Sequence, residues 1–156
     1  MAIVTLTTDL GNTDHFVAAI KGRLLRADPG LILVDISHNV KTHDIVQAAY
    51  ILRNAFADFP EGTIHLASIH NISGADSRLV VFAHRGQIFA GPDNGLFSLV
   101  LDERPSGVRQ IPLDGQSPFP IKEAFATVID HLLAKRPLDT LGTPCEAIVE
   151  KISQHP

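Results

Sequence analysis

A chain of 156 residues with 45% hydrophobic and 19% charged side chains suits one domain with a substantial core and is too apolar for a disordered one. Thirteen basic residues against seventeen acidic ones give a formal charge of -4 at pH 7, with no basic stripe to track a phosphate backbone, which argues against nucleic acid as a partner. The single cysteine, Cys145, excludes an internal disulfide and a thiolate metal cluster, and without a secretory signal or a membrane-length apolar run the expected location is the cytoplasm.

The chain opens on a strand that is apolar or β-branched over residues 2–6, as burial on both faces requires. It runs into Thr7-Thr8-Asp9-Leu10-Gly11-Asn12-Thr13-Asp14, a polar loop whose Thr13 or Asp14 is placed to cap a helix over 14–26 with apolar positions at Phe16, Val17, Ile20, Leu24 and Leu25. Asp28-Pro29-Gly30 ends that helix, a second buried strand is expected over 31–36, and a polar loop leads to a helix starting at His43 or Asp44. Residues 63–69 form a third strand that opens into the loop 70–77. Strands alternating with helices in this way predict parallel βαβ units with right-handed crossovers, so the loops after the first three strands share one rim. Ligands of open α/β sheets settle at that rim, and Asp9 and Asp14 flank a glycine-containing turn on it. On composition alone the two carboxylates are as well explained by an Asx-turn and a helix cap.

From Arg78 onward, residues 79–83 and 87–90 read as a hairpin around His84-Arg85-Gly86, which makes the sheet mixed. Pro92-Asp93-Asn94-Gly95 is a tight turn before a short helix; a strand over 108–111, a proline-rich loop over 112–120 and a helix over 121–134 follow. The predicted fold is a single three-layer α/β domain over residues 1–144, a mostly parallel mixed sheet with helices on both faces, and residues 145–156 form a tail with little left to bury. Gly22 sits inside the first helix, where glycine is costly unless something packs closely against it. His15, His43, His65, His84, His131 and His155 read as solvated or capping residues. No local spacing joins His70, His38 and Asp9 into a metal site, and none is expected.

The loop Thr7-Thr8-Asp9-Leu10-Gly11-Asn12-Thr13-Asp14 with Lys21-Gly22, then Val34-Asp35-Ile36-Ser37-His38, Phe59-Pro60-Glu61-Gly62-Thr63 and Pro92-Asp93-Asn94-Gly95-Leu96, occur in one order. Together they resemble the N-terminal domain of the S-adenosyl-L-methionine hydroxide adenosyltransferases, the superfamily that includes the fluorinase and chlorinase. Pro137-Leu138-Asp139-Thr140-Leu141-Gly142 is similar to the close of that domain. The resemblance implies that Asp9 holds the ribose hydroxyls, that Asp14 lies near the methionine moiety, and that His38, in the family's Asp-Ile-Ser/Thr-His pattern, fastens its loop by hydrogen bonds. It also implies attack on C5′ by water or halide with methionine leaving, S-adenosyl-L-methionine as the substrate, and no cofactor. The family's water-activating aspartate, arginine and histidine fall on His70, Ser77 and Pro120, with Arg78 one residue beyond. Ser73 matches a halide-contacting threonine, but the second halide contact falls on Ile121, which has no donor.

The catalytic candidates are therefore His70 and Arg78, and the ligand-binding candidates are Asp9, Asp14, Ser73 and Asn94. Three readings stay open. One is a truncated, catalytically degenerate member that keeps a nucleoside-facing rim. Another is an enzyme that still cleaves S-adenosyl-L-methionine to adenosine and methionine, with His70 and Arg78 in place of the trio. The third is a structural oligomer without ligand. The resemblance further implies a homotrimer in which a second, largely β domain supplies most adenine contacts and closes the neighbour's pocket. This sequence stops before that domain, which implies a shallow rim or a separate chain that completes it.

Overall fold

The computed structural model describes residues 2–69 and 78–150. Its strands are β1 (Ile3–Thr8), β2 (Ile32–Ser37), β3 (Ile64–Ser68), β4 (Arg78–His84), β5 (Gln87–Pro92), β6 (Arg109–Pro112) and β7 (Thr143–Pro144), and its helices α1 (Phe16–Ala27), α2 (Ile45–Ala55), α3 (Leu96–Val100) and α4 (Pro120–Leu133). The strands form one sheet in the order β2-β1-β3-β5-β4-β6-β7, with β2, β1, β3 and β5 mutually parallel and β4 antiparallel to both its neighbours. The three-layer α/β architecture is thus as the sequence predicts.

Two apolar cores lie on opposite faces of the sheet. Val4, Leu6, Leu66 and Leu79 pack with Ile20 and Leu24 of α1 and Phe125 and Ile129 of α4. Ala67, Phe82 and Phe89 pack with Ala48 and Leu52 of α2 and Leu96 and Phe97 of α3. The hairpin between β4 and β5 turns on Arg85 and Gly86, both at positive φ (51° and 76°), the twist that a two-residue hairpin loop requires.

Several expectations are corrected. The second strand is not buried on both faces: β2 is an edge strand paired only with β1, and Ile32 is 41% exposed. Neither Thr13 nor Asp14 caps α1; His15 is the N-cap and caps with no side-chain bond, because Asp14 turns its carboxylate onto His15 instead of onto the helix interior. A Cβ on Gly22 would meet nothing within 4 Å, so close packing does not account for that glycine. His65, His84 and His131 are buried. His65 bridges Thr5 Oγ1 (2.6 Å) and Gln87 Oε1 (2.5 Å), and His131 Nε2 reaches the carbonyl of Pro137. Finally, residues 145–150 have apolar groups to bury: Cys145 lies inside, and Ile148 packs against the α2–α3 core.

Candidate functional site

The chain leaves β1 for β2 through α1 on one face and reaches β3, on the other side of β1, through α2 on the opposite face. The strand order therefore reverses at β1, which makes the carboxyl end of β1 the expected ligand crevice. Asp9 is the first residue beyond that strand. Its backbone N–H donates to the carbonyl of Ser68 at the end of β3 (3.3 Å), and its Oδ2 accepts from the backbone N–H of His43 (2.9 Å). His43 makes this bond from a left-handed conformation, φ 63°.

A polar chain, buried at Thr8 and His38 and partly exposed at Lys21 and Asp35, underlies the loop. Lys21 Nζ donates to Asp35 Oδ2 (2.7 Å), His38 Nε2 meets Asp35 Oδ1 (2.7 Å), His38 Nδ1 meets Thr8 Oγ1 (2.8 Å), and Leu10 N–H donates to Thr8 Oγ1 (3.2 Å). Burial raises the Asp35 carboxyl, but the hydrogen bonds from Lys21 and His38 outweigh it and hold the group below its ordinary value. Hydroxyl, imidazole and carboxylate stand in the order of a nucleophile triad. Thr8, however, is fully buried and already takes the Leu10 N–H, so the arrangement fixes a loop rather than attacks a substrate.

The other candidates have distinct surroundings. Asp14 is exposed, and the His15 backbone N–H and ring hold its carboxyl below the ordinary value. Asn94, 5% exposed, donates from Nδ2 to the carbonyl of Ile69 (2.5 Å) and accepts from Leu96 N–H (3.1 Å), tying the end of β3 to the start of α3. Arg78 directs Nε and Nη2 to Asp93 Oδ2 (2.9 and 2.6 Å), Nη1 to Gln110 Oε1 (2.7 Å) and Nη2 to the carbonyl of Ala147 (3.0 Å). Its hydrogen bond with Asp93 raises its already high pKa. His70, Ser73 and Ser77 lie outside the described residues. Pro120 is the first residue of α4, where proline's fixed φ and missing N–H cost nothing, and Ile121 is buried in the core.

The structure thus brings Asp9, His38 and His43 together, and Asn94 joins the β3 end of the same rim. The role of His38 in fastening the loop was readable from sequence; its partners Thr8, Asp35 and Lys21 were not, since the only local signal is the three-residue step from Asp35 to His38. A groove of about 200 Å³ lined by Leu101, Arg104, Ile148 and Glu150 shares none of these side chains. Among the described residues, no group of three His, Cys, Asp or Glu side chains could hold a metal ion, and no helix is long and apolar enough to cross a membrane.

Residues 4–142 match the profile of the SAM hydroxide adenosyltransferase N-terminal domain. An (R)-S-adenosyl-L-methionine hydrolase of Methanocaldococcus jannaschii is 36% identical over 70% of this chain and 42% of its own length. One of Thermus thermophilus is 32% identical over 100% of this chain and 66% of its own. A fluorinase of Actinoplanes sp. is 28% identical over 90% of this chain and 57% of its own. Among solved structures, an uncharacterized conserved protein from Thermotoga maritima superposes with a TM-score of 0.85 at 26% identity, over 99% of this chain and 62% of that one. The chain spans between 42% and 66% of the length of these curated relatives.

Proposed function

Because the chain belongs to the SAM hydroxide adenosyltransferase N-terminal domain family, we propose that it recognises S-adenosyl-L-methionine or its nucleoside part at the carboxyl rim of β1, and binds rather than cleaves it. The observation that carries this reading is Asp9, a carboxylate set at the strand-order reversal and oriented by the His43 N–H. An ionised carboxylate accepts from several donors at once, which suits the vicinal hydroxyls of a ribose. Asp14, on the same loop, is the group for the ligand's ammonium, and Asn94 and Ser73 are the remaining ligand-binding candidates. No cofactor enters this reading. The chain assembles as a homotrimer.

Calorimetric titration with S-adenosyl-L-methionine is expected to give saturable heat that Asp9→Ala removes. No heat from the unsubstituted chain at high ligand concentration would overturn the proposal. A second reading, hydrolysis to adenosine and methionine, is favoured by the two relatives named as (R)-S-adenosyl-L-methionine hydrolases. It would put His70 and Arg78 in place of the family's trio, against which stands the engagement of the Arg78 guanidinium with Asp93, Gln110 and Ala147. Adenosine release that disappears in His70→Ala would select it.

A further inference from the structure

We infer that His38 is a positioning residue for Asp9, the centre of a relay running from Lys21 through Asp35, His38 and Thr8 to the loop after β1. Only the ligand-affinity arm of the test below rests on the proposed function.

The relay has a defined direction. A carboxylate only accepts, so Asp35 accepts a hydrogen bond from Lys21 Nζ at one oxygen and from His38 Nε2–H at the other. With Nε2–H turned to Asp35, the other ring nitrogen, Nδ1, meets the Thr8 hydroxyl (2.8 Å). The Thr8 oxygen in turn accepts the N–H of Leu10, closing a turn whose central residue is Asp9. His38 also holds the loop through its backbone, since its carbonyl accepts from Gly11 N–H (2.7 Å). Asp9 is therefore flanked by two residues that His38 fixes, while its carboxylate receives the His43 N–H from the loop after β2.

Burial is what gives the relay force. Thr8 is fully buried and His38 is 3% exposed, so a missing partner there leaves a donor or acceptor without water to replace it. Packing alone would be met as well by apolar side chains at both positions. The polar chain instead sets the rotation of Thr8 and with it the turn that presents Asp9.

The test is amide hydrogen exchange together with calorimetric titration on Thr8→Val, Thr8→Ser and Asp35→Ala. Asp35 lies on the half-exposed edge strand, so its truncation keeps the test available should Thr8→Val fail to fold. Thr8→Val and Asp35→Ala are expected to speed exchange at Leu10, Gly11 and His43 by about fivefold to tenfold while Val4 and Leu6 keep their protection. Thr8→Ser, which keeps the hydroxyl, stays at the wild-type rates. The two loosened variants also weaken S-adenosyl-L-methionine binding by a similar factor. Unchanged exchange at Leu10, Gly11 and His43, or acceleration spread equally over β1, would overturn the relay. Binding absent from the unsubstituted chain would overturn the ligand reading while the exchange arm still decides the relay.

Discussion

Arg78→Met is expected to lower the unfolding free energy by about 3 kcal/mol, read as a fall in the urea midpoint at unchanged slope. The reason lies in its partner. Asp93 has a side chain only 3% exposed, and its two oxygens are served by Arg78 and by the backbone N–H of Val149 (2.8 Å). Removing the guanidinium leaves a buried carboxylate with a single backbone donor, and frees Gln110 Oε1 and the carbonyl of Ala147 as well. Arg78 itself is about a third exposed, which places the effect at the lower end of the range for buried pairs. Arg78→Lys recovers part of the loss, since a point charge cannot serve three acceptors in the fixed fork of an arginine. Unchanged stability in Arg78→Met would mean that the guanidinium is available for chemistry, and would favour the hydrolase reading.

Acid weakens the fold through His65. Its ring is buried, and burial pushes its pKa below 6.5 against the smaller opposing effect of the Gln87 hydrogen bond. The surrounding bonds fix the tautomer. Gln87 spends its amide N–H groups on the carbonyls of Phe56 and Phe59, so its oxygen faces His65 Nε2–H, and Nδ1 accepts from Thr5. Above about pH 6.5 the ring is neutral in both states and adds no pH dependence. Below it the unfolded chain takes up a proton that the folded chain refuses, so stability falls as the pH drops toward the lowered folded value. Each unit of depression corresponds to about 1.4 kcal/mol. Urea unfolding between about pH 7.5 and about pH 5 should therefore show a steeper loss in the wild type than in His65→Gln. Parallel losses in the two proteins would contradict this assignment.

Sequence patterns identified the elements better than they identified exposure. Apolar runs and glycine or proline punctuation put strands at 2–6, 31–36 and 63–69, within one or two residues of the observed bounds, and helices between them, because local spacing records which face is covered. The exposure of β2 was hidden because edge or centre is a property of strand order, and residues 32–36 are as apolar as those of a central strand. His65 was misread for a related reason. A histidine among Ile64 and Leu66 looks like a solvated alternate, and only the pairing of β3 with its neighbours brings Thr5 and Gln87 to its two nitrogens. The anchoring of residues 145–150 rests on isolated side chains, Cys145 and Ile148, and on the Arg78–Asp93 pair, fifteen residues apart with no local signature. At the site, Asp9 was legible as a carboxylate on a rim, and the fastening role of His38 as well. The relay was not, because residues 8, 21, 35 and 38 meet only through the parallel pairing of β1 with β2 and the packing of α1 beside it.

The most direct test of ligand recognition at this rim is the movement of backbone amide signals when an isotope-labelled chain is titrated with S-adenosyl-L-methionine. The account predicts saturable shifts concentrated at residues 9–15, 38–43 and 93–95, and their loss in Asp9→Ala. Shifts centred instead on the groove of Leu101, Arg104, Ile148 and Glu150, or none at saturating ligand, would contradict it.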